Sequence, residues 1–370
     1  MARKPTASDV ARRACVSRST VSLVLAGRGK EARLSEATQA RVLKAAEELH
    51  YKPNAAGRSL VKGRTETIGL VIRDLALLNV DPYLLPLLNG ILQRARKDGY
   101  NVLVESARGA EHGDAFGDLM DSGRIDGIIV ENADFPDKSL QRLIKAGRPV
   151  VVLGSQGVAE EFSVAVDDRQ IGYRATHHLA ALGRRRIAHI AYSSAGIFTV
   201  DERFRGYREA LKNAGLRYES ALVRHANFSM ESGYEAMRDL LSGKKLPDAV
   251  FTSSDAVAIG ALAAIHDAGL RVPQDLAVAS VDDINAASFS RPSLTTVTSE
   301  PHASGEAAAD MLIDLMSGRV PKVRNVLIDP RLIVRGSTDE GYVEARPSTP
   351  IQGSELLPTR ITTGVAGGTP

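Results

Sequence analysis

The chain has 370 residues, enough for two or three domains with ample cores. Its single cysteine excludes an internal disulfide framework, no run approaches the roughly 18 apolar residues of a membrane span, and the charged N-terminus MARKPTASDVARRACV holds no apolar stretch of signal-peptide length, so the expectation is a cytoplasmic protein with no membrane partner. A net charge of +3 conceals an asymmetry: residues 1–64 carry 14 Lys or Arg against 5 Asp or Glu, hence +9, and the remainder carries 33 against 39, hence −6. A basic head on an acidic body points to a polyanion as the partner of the head.

Three short helices can be drawn in the head. Thr6 with Asp9 makes a capping-box pattern, and a helix runs on through Ala7, Val10, Ala11 and Ala14. Cys15-Val16-Ser17 turns into a second helix, VSRSTVSLVLAG, whose Val16, Thr20, Val21, Val24 and Leu25 recur at steps of three and four. Ser17 can cap its start and Gly27 its end. After a polar loop, Ser35 caps a third helix, EATQARVLKAAEELHY, with Ala37, Val42, Leu43, Ala46 and Leu49 expected on its buried face.

Two short helices joined tightly and braced by a third describe a helix-turn-helix unit. The second helix is rich in Val, Ser and Thr, mediocre helix formers whose small size lets a recognition helix approach DNA closely. Ser17, Thr20 and Ser22 can then hydrogen-bond phosphates, while Arg18 and Ser19 reach base edges; Arg is the usual bidentate partner of guanine. Val21, Val24 and Leu25 face the core of the head. Gly27-Arg28-Gly29-Lys30-Glu31-Ala32 matches the G-x-G-x-x-A dinucleotide pattern, but with no strand before it the phosphate-binding mechanism is absent.

SDVARRACVSRSTVSLVLAG, followed by LSEATQARVLKAAEELHYKPNAAGRSLVKGRTETIGLVI, resembles the N-terminus of LacI/GalR-family transcriptional repressors. Members show D-V-A, V-S-x-x-T-V-S-x-V-L-N, E-L-x-Y-x-P-N-x-x-A-R-x-L and T-x-x-I-G. The resemblance places the base-reading positions on Arg18, Ser19 and Leu23. It makes Asn54 to Leu60 a hinge helix that forms on operator DNA, with Leu60 as the residue wedged into the minor groove. Ala26 departs from the usual Asn, and Gly57 from the usual Ala, which weakens a helix by up to roughly 1 kcal/mol.

From Thr67 the pattern changes. TIGLVIR, NVLVES, GIIVEN, PVVVLG, RIAHIAY, DAVFTSS and LAVASV read as strands alternating with helices such as PYLLPLLNGILQRARKDG and DERFRGYREALKNAG. The expected fold is α/β, with parallel sheets covered on both faces and a ligand cleft at the carboxyl ends of the strands. The family resemblance continues through RIDGIIV, VAVDDRQIGYRATHHLAALGRRRIAHI, ERFRGYREAL, PDAVFTSSDAVAIGALAAIHDAGLRVPQDLAV, PSLTTV and LIVRGST. It implies a periplasmic-binding-protein-like core of two doubly wound parallel-sheet subdomains. By the same resemblance Tyr83 and Leu84 take the aromatic places after the first strand, and Arg203 grips the effector. Phe228 stacks on the ligand, Asp282 is the effector-binding aspartate, and Ser254 stands where several members have Asn beside Asp255. Gly154 occupies a position where some sugar-binding members have Asp.

The expected division is a helix-turn-helix domain at residues 1–52, a hinge at 53–64, an effector-binding and dimerisation core at 65–338 and a disordered tail at 339–370, rich in Pro, Gly, Ser and Thr. The tail lacks leucine heptads, which favours a homodimer. His177-His178 has no third ligand at metal spacing, and no nucleophile elbow, Walker loop or paired-carboxylate signature is present. The expectation is therefore a DNA-binding repressor, not an enzyme, without cofactor or metal. Its partners are double-stranded operator DNA and a sugar-like effector. Control by a protein co-repressor and a sugar-active enzyme on a binding-protein core are the alternative readings.

Overall fold

The computed structural model describes residues 5–51, 63–106, 114–192 and 197–342. The expected hinge helix, with Asn54 and Leu60, and the tail beyond residue 342 lie outside the described residues.

In the head, helix α1 (Ala7–Ala14) starts on a reciprocal cap: the Asp9 amide donates to Thr6 Oγ1, and the Thr6 amide donates to the Asp9 carboxylate at 2.9 Å. Cys15, left-handed at φ 53°, ends it and turns the chain toward α2 (Arg18–Leu25). Ser17 caps α2 by accepting from the Thr20 amide at 3.1 Å, and Ser35 caps α3 (Glu36–Glu48) in the same way. Val10, Ala11, Ala14, Val21, Val24, Val42, Ala45 and Ala46 form the core of the head. Two expectations fail here. Ala37 is exposed and Leu43 is 54% exposed. The buried stripe of α3 is centred on Val42, Ala45, Ala46 and Leu49, and at 100° per residue that leaves Leu43 on the flank and Ala37 on the far side. The G-x-G-x-x-A segment follows α2, with no strand before it.

The core holds two six-stranded sheets. In chain order the elements are β1 (Thr67–Ile72), α4 (Leu84–Lys97), β2 (Asn101–Ser106), α5 (Ala115–Asp121), β3 (Gly127–Glu131), α6 (Lys138–Lys145), β4 (Val150–Leu153), β5 (Ser163–Val166) and α7 (Asp168–Ala181). There follow β6 (Ile187–Tyr192), α8 (Phe198–Asn213), β7 (Val223–Ala226), α9 (Met230–Leu241), β8 (Ala249–Thr252), α10 (Asp255–Asp267), β9 (Ala277–Asp282) and β10 (Thr295–Thr298). The last are α11 (Pro301–Met316), β11 (Asn325–Ile328) and β12 (Leu332–Ile333). The first sheet runs β11-β5-β4-β3-β1-β2 and is parallel throughout; the second runs β12-β10-β9-β8-β6-β7 and is parallel except for β12.

The chain passes between the lobes after β5, after β10 and after β11. Helix α11 returns to the first lobe, where Ala308, Ala309 and Leu312 pack with Leu87 and Ile129. The seven expected strands all form. Five others escaped notice because they are short and lack a clean apolar run. β10, for example, is TTVT yet fully buried, its Thr295 and Thr296 hydroxyls consumed by internal hydrogen bonds.

Three helix pairs cross at glycines. A Cβ on Gly172 of α7 would stand 2.0 Å from the Arg203 carbonyl oxygen, and one on Gly206 of α8 would stand 2.0 Å from that of Arg169. Gly233 and Gly260 do the same for α9 against α10, and Gly90 and Gly305 for α4 against α11. Backbone, not a yielding side chain, occupies that space. Alanine is the better helix former by about 1 kcal/mol, so without the crossing each Gly→Ala change would stabilise. We expect Gly206→Ala and Gly260→Ala each to cost about 1–3 kcal/mol or more through forced separation of the helices, read as a lower urea midpoint with an unchanged slope. Stabilisation by either would refute the close approach.

Candidate functional site

The carboxyl ends of both sheets converge on one cavity, with about 650 Å³ of empty space, part of it open to solvent. Each lobe supplies side chains just where its strands end, as an open parallel sheet dictates. Glu131 is the last residue of β3, Tyr192 of β6 and Asp282 of β9, and Gly154 directly follows β4. Asp81 and Tyr83 come from the loop after β1, Asp168 from the first turn of α7, Arg203 from α8 and Phe228 from the loop after β7.

Arg203 is the hub of the second lobe's side. Its Nε donates to Asp168 Oδ1 at 2.7 Å and its Nη1 to the Ser253 carbonyl oxygen at 2.9 Å. The guanidinium is thus fixed in orientation, and Nη2 is left without a protein partner among the described residues. Tyr192 and Phe228 form an aromatic wall, with ring centroids 4.1 Å apart.

Asp282 sits on strained backbone. Its φ is 109° and that of Asp283 is 55°, both outside ordinary L-residue territory. The turn is held from below by Asp255, fully buried at the start of α10. Asp255 accepts from the Ile284 amide at 2.9 Å, from Thr296 Oγ1 at 2.7 Å and from the Ser280 hydroxyl. Arg335 clamps the other side, pairing with Asp283 at 2.7 Å and donating to the Leu294 carbonyl at 2.9 Å.

Of the expected effector residues, Tyr83, Arg203, Phe228 and Asp282 line this cavity. Leu84 and Ser254 do not. Leu84 opens α4 with its side chain in the first lobe's core beside Leu87 and Ile91. Ser254 caps α10, accepting from the Val257 amide at 3.3 Å, behind the Tyr192 hydroxyl. Sequence reasoning missed Asp81, Glu131, Asp168 and Tyr192. A signal existed for two of them: GIIVE and RIAHIAY each close a buried apolar run with a polar side chain at the carboxyl end of the strand. His178 bonds Thr338 at 2.9 Å and His177 stacks on Tyr173; no metal-holding group of His, Cys, Asp or Glu occurs among the described residues.

Burial dominates the electrostatics of the cleft. It raises the Asp81 pKa to about 7, aided by the charge of Asp282, and that of Asp168 to about 6 against the opposing pull of Arg203. Asp255 rises to about 8 through burial and the neighbouring Asp282. Glu131 and Asp282 also rise, chiefly through burial.

A raised carboxyl stabilises the fold fully below the unfolded pKa, near 4, and loses that contribution as pH climbs through the folded value. For Asp81 the window is therefore about pH 4 to 7. Asp81→Asn keeps an acceptor for the Tyr83 amide, which bonds Asp81 Oδ1 at 3.1 Å. We expect it to match the parent in stability at pH 4 and to exceed it by about 2–4 kcal/mol at pH 8. Urea unfolding at the two pH values checks this; a difference independent of pH would contradict it.

In the head, Ser17, Arg18 and Ser19 stand exposed at the start of α2, and Thr20, Ser22 and Leu23 are half-buried behind them. Ser17 Oγ lies 2.7 Å from Ser19 Oγ and 2.9 Å from Thr20 Oγ1, so the hydroxyls form one cluster. Neighbouring Arg12, Arg13 and Arg28 pair with Asp9, Glu48 and Glu31. Arg18 pairs with nothing among the described residues and remains available to a partner.

A three-helix unit with a free arginine at its second helix, carried on a two-lobed α/β core with a polar cleft, defines a helix-turn-helix protein with a ligand-binding body. The family profile of bacterial regulatory proteins, lacI family, matches residues 6–54, and that of the periplasmic binding protein-like domain matches residues 176–338. The HTH-type transcriptional regulator CelR of Thermobifida fusca is 36% identical over 340 residues, 90% of this chain and 98% of CelR. The HTH-type transcriptional repressor PurR of Escherichia coli O139:H28 is 33% identical over 345 residues, 91% of this chain and 97% of PurR. Among solved structures, a CelR–cellobiose complex matches at TM-score 0.68 and 33% identity, covering 90% of this chain and 99% of that one. The lac repressor dimer bound to operator and the anti-inducer ONPF matches at TM-score 0.79 and 26% identity, covering 91% and 99%. The chain belongs to the lacI family of bacterial regulatory proteins and is a transcriptional regulator. These relatives are regulators rather than enzymes, and no described helix is long and apolar enough to cross a membrane.

Proposed function

We propose that this regulator is a cytoplasmic, dimeric repressor whose affinity for a DNA operator is set by a small polyhydroxylated effector held between the two lobes. The observation that carries this reading is the cleft itself. Arg203, Asp168 and Asp282 face Asp81, Tyr83 and Glu131 across it, so both lobes present hydrogen-bonding groups to one ligand. Carboxylates and a forked guanidinium suit paired hydroxyls, and Tyr83, Tyr192 and Phe228 suit the apolar faces of a sugar ring. The CelR relative was solved with cellobiose.

Ser17, Thr20 and Ser22 are assigned to phosphates, Arg18, Ser19 and Leu23 to base edges, and Asn54 and Leu60 to the hinge. The core, residues 65–338, is assigned to effector binding and dimerisation. Exposed Leu85 and Leu92, seven residues apart on one face of α4, support a self-association surface.

The effector must bind one arrangement of the lobes better than the other, or nothing is coupled. Operator selection from random DNA, followed by a metabolite screen on that operator, tests the whole reading. Arg18→Ala is expected to lower specific affinity by about 1–3 kcal/mol while non-specific binding changes little; an equal loss in both would make Arg18 a phosphate contact. Arg203→Ala should weaken the identified effector by roughly 5- to 150-fold, because Asp168 loses its buried partner. Operator binding without effector should survive, since the head lies outside the cleft. Calorimetry with parent-like affinity in Arg203→Ala would refute the assignment.

A further inference from the structure

The cleft is electrostatically unbalanced. Four carboxylates line it, Asp81, Glu131, Asp168 and Asp282, against one cation among the described residues, Arg203. That cation is already committed: Asp168 takes its Nε at 2.7 Å and the Ser253 carbonyl takes its Nη1 at 2.9 Å. Asp81, 5% exposed, accepts among the described residues only from the Tyr83 amide. Glu131 is also 5% exposed, ends its strand at the cavity wall, and reaches no hydrogen-bond or ion-pair partner among the described residues. An unpaired buried carboxylate is expensive, and a neutral polyol can lend it hydroxyls but no charge. The aromatic rings of Tyr83, Tyr192 and Phe228 line the same space, and aromatic faces favour cations. A bound metal ion is the other way to supply positive charge, but no described group of His, Cys, Asp or Glu has ligand geometry.

We propose that the effector carries a cationic nitrogen, an ammonium group on a hydroxylated framework such as an aminated sugar, seated against Glu131 and Asp81 of the first lobe. This rests on the reading of the cleft as the effector site. The hydroxyls of the ligand then face Arg203 and Asp282 of the second lobe, and the ammonium supplies the charge that the protein omits.

The binding should be proton-linked. In the free protein burial, with Asp168 and Asp81 facing it and only Arg203 opposing, keeps Glu131 protonated well above the ordinary carboxylate range. Asp81, facing Asp282 and Arg203, has a pKa of about 7. An ammonium group beside them favours the ionised form, so complex formation releases protons, and affinity climbs with pH until the amine itself deprotonates.

The test titrates the full-length protein calorimetrically with matched probes: glucose and glucosamine, galactose and galactosamine, cellobiose and its diamino counterpart. The expected result is that binding is found among the amines, at least about 10-fold tighter than their neutral partners, with proton release read from buffers of different ionisation enthalpy. Glu131→Gln should weaken the bound amine by about 10- to 100-fold and its neutral partner by less than about 3-fold; Asp81→Asn should act in the same direction. A neutral sugar that binds as tightly as its amine overturns the proposal while leaving the cleft as an effector site. Equal losses for both probes in Glu131→Gln, or no proton release, also overturn it. No binding by any probe at about 10 mM overturns the proposal and the polyol reading together.

Discussion

The cleft depends on one close backbone approach in the second lobe, the crossing of α7 and α8 at Gly172 and Gly206. Each glycine rests against a carbonyl of the other helix, so the two axes come nearer than any pair of side chains would allow. One of those carbonyls belongs to Arg203, and Asp168 lies a turn before Gly172. The crossing therefore sets the separation of the Arg203 guanidinium from the Asp168 carboxylate, which meet at 2.7 Å with both side chains nearly buried. A buried pair of this kind adds little net stability once desolvation is counted. Its consequence is directional: the remaining guanidinium nitrogen has one place to point. The same glycine device recurs in α9–α10 and α4–α11, so three of the helix pairs that cover the sheets are locked by backbone rather than by deformable side chains.

The rest of the same wall is built on strain. Two successive aspartates at positive φ cost on the order of 1–3 kcal/mol each, and glycine at either place would remove the penalty. The carboxylate of Asp282 would leave with it. The structure keeps the aspartates and fastens the turn from two sides, through Asp255 below and Arg335 behind. Asp255 receives three hydrogen bonds yet keeps a raised pKa near 8, because its burial and the neighbouring Asp282 outweigh them. The Ser299 hydroxyl is buried beside Asp282 in the cavity wall and pulls its pKa down against the larger effect of burial. Strained backbone and raised carboxyls collect around one cavity, as expected of a site shaped for something other than its own stability.

Much of this was legible in the sequence, for identifiable reasons. Caps are local chemistry, so Thr6, Ser17 and Ser35 announced the three head helices. The long apolar strands declared a doubly wound core. Arg203, Phe228, Tyr83 and Asp282 were reached through motif position, and the cavity contains all four. Leu84 and Ser254 were reached in the same way, but the cavity does not include them. A motif fixes a place along the chain, whereas the helix start at Leu84 turns that side chain inward and the cap role of Ser254 consumes its hydroxyl. Glu131 and Asp81 were overlooked for a complementary reason. Asp81 carries no local pattern and the polar end of GIIVE marks Glu131 only as the close of a strand; their meaning arises where a loop and a strand end from distant sequence face the second lobe.

That facing is also what can connect ligand to DNA. The described chain entering the core is tied to the first lobe: Asp126, just before β3, accepts from the Thr65 and Glu66 amides, each at 2.7 Å, and from Thr65 Oγ1 at 2.9 Å. Asp126 therefore holds the end of the linker to the same strand whose other end carries Glu131. The second lobe meets the linker nowhere in the described hydrogen bonds, and touches the first through the crossovers after β5, β10 and β11. A ligand gripped only by Arg203 and Asp282 would leave the linker unaffected. One gripped by Glu131 or Asp81 as well fixes the first lobe against the second, and with it the strand on which the linker is anchored. The coupling free energy between effector and operator is bounded by how differently the two lobe arrangements hold that ligand. With an effector seated as proposed, the first lobe's carboxylates would be the groups through which binding becomes regulation, and the Asp126 clamp would be where that constraint leaves the core.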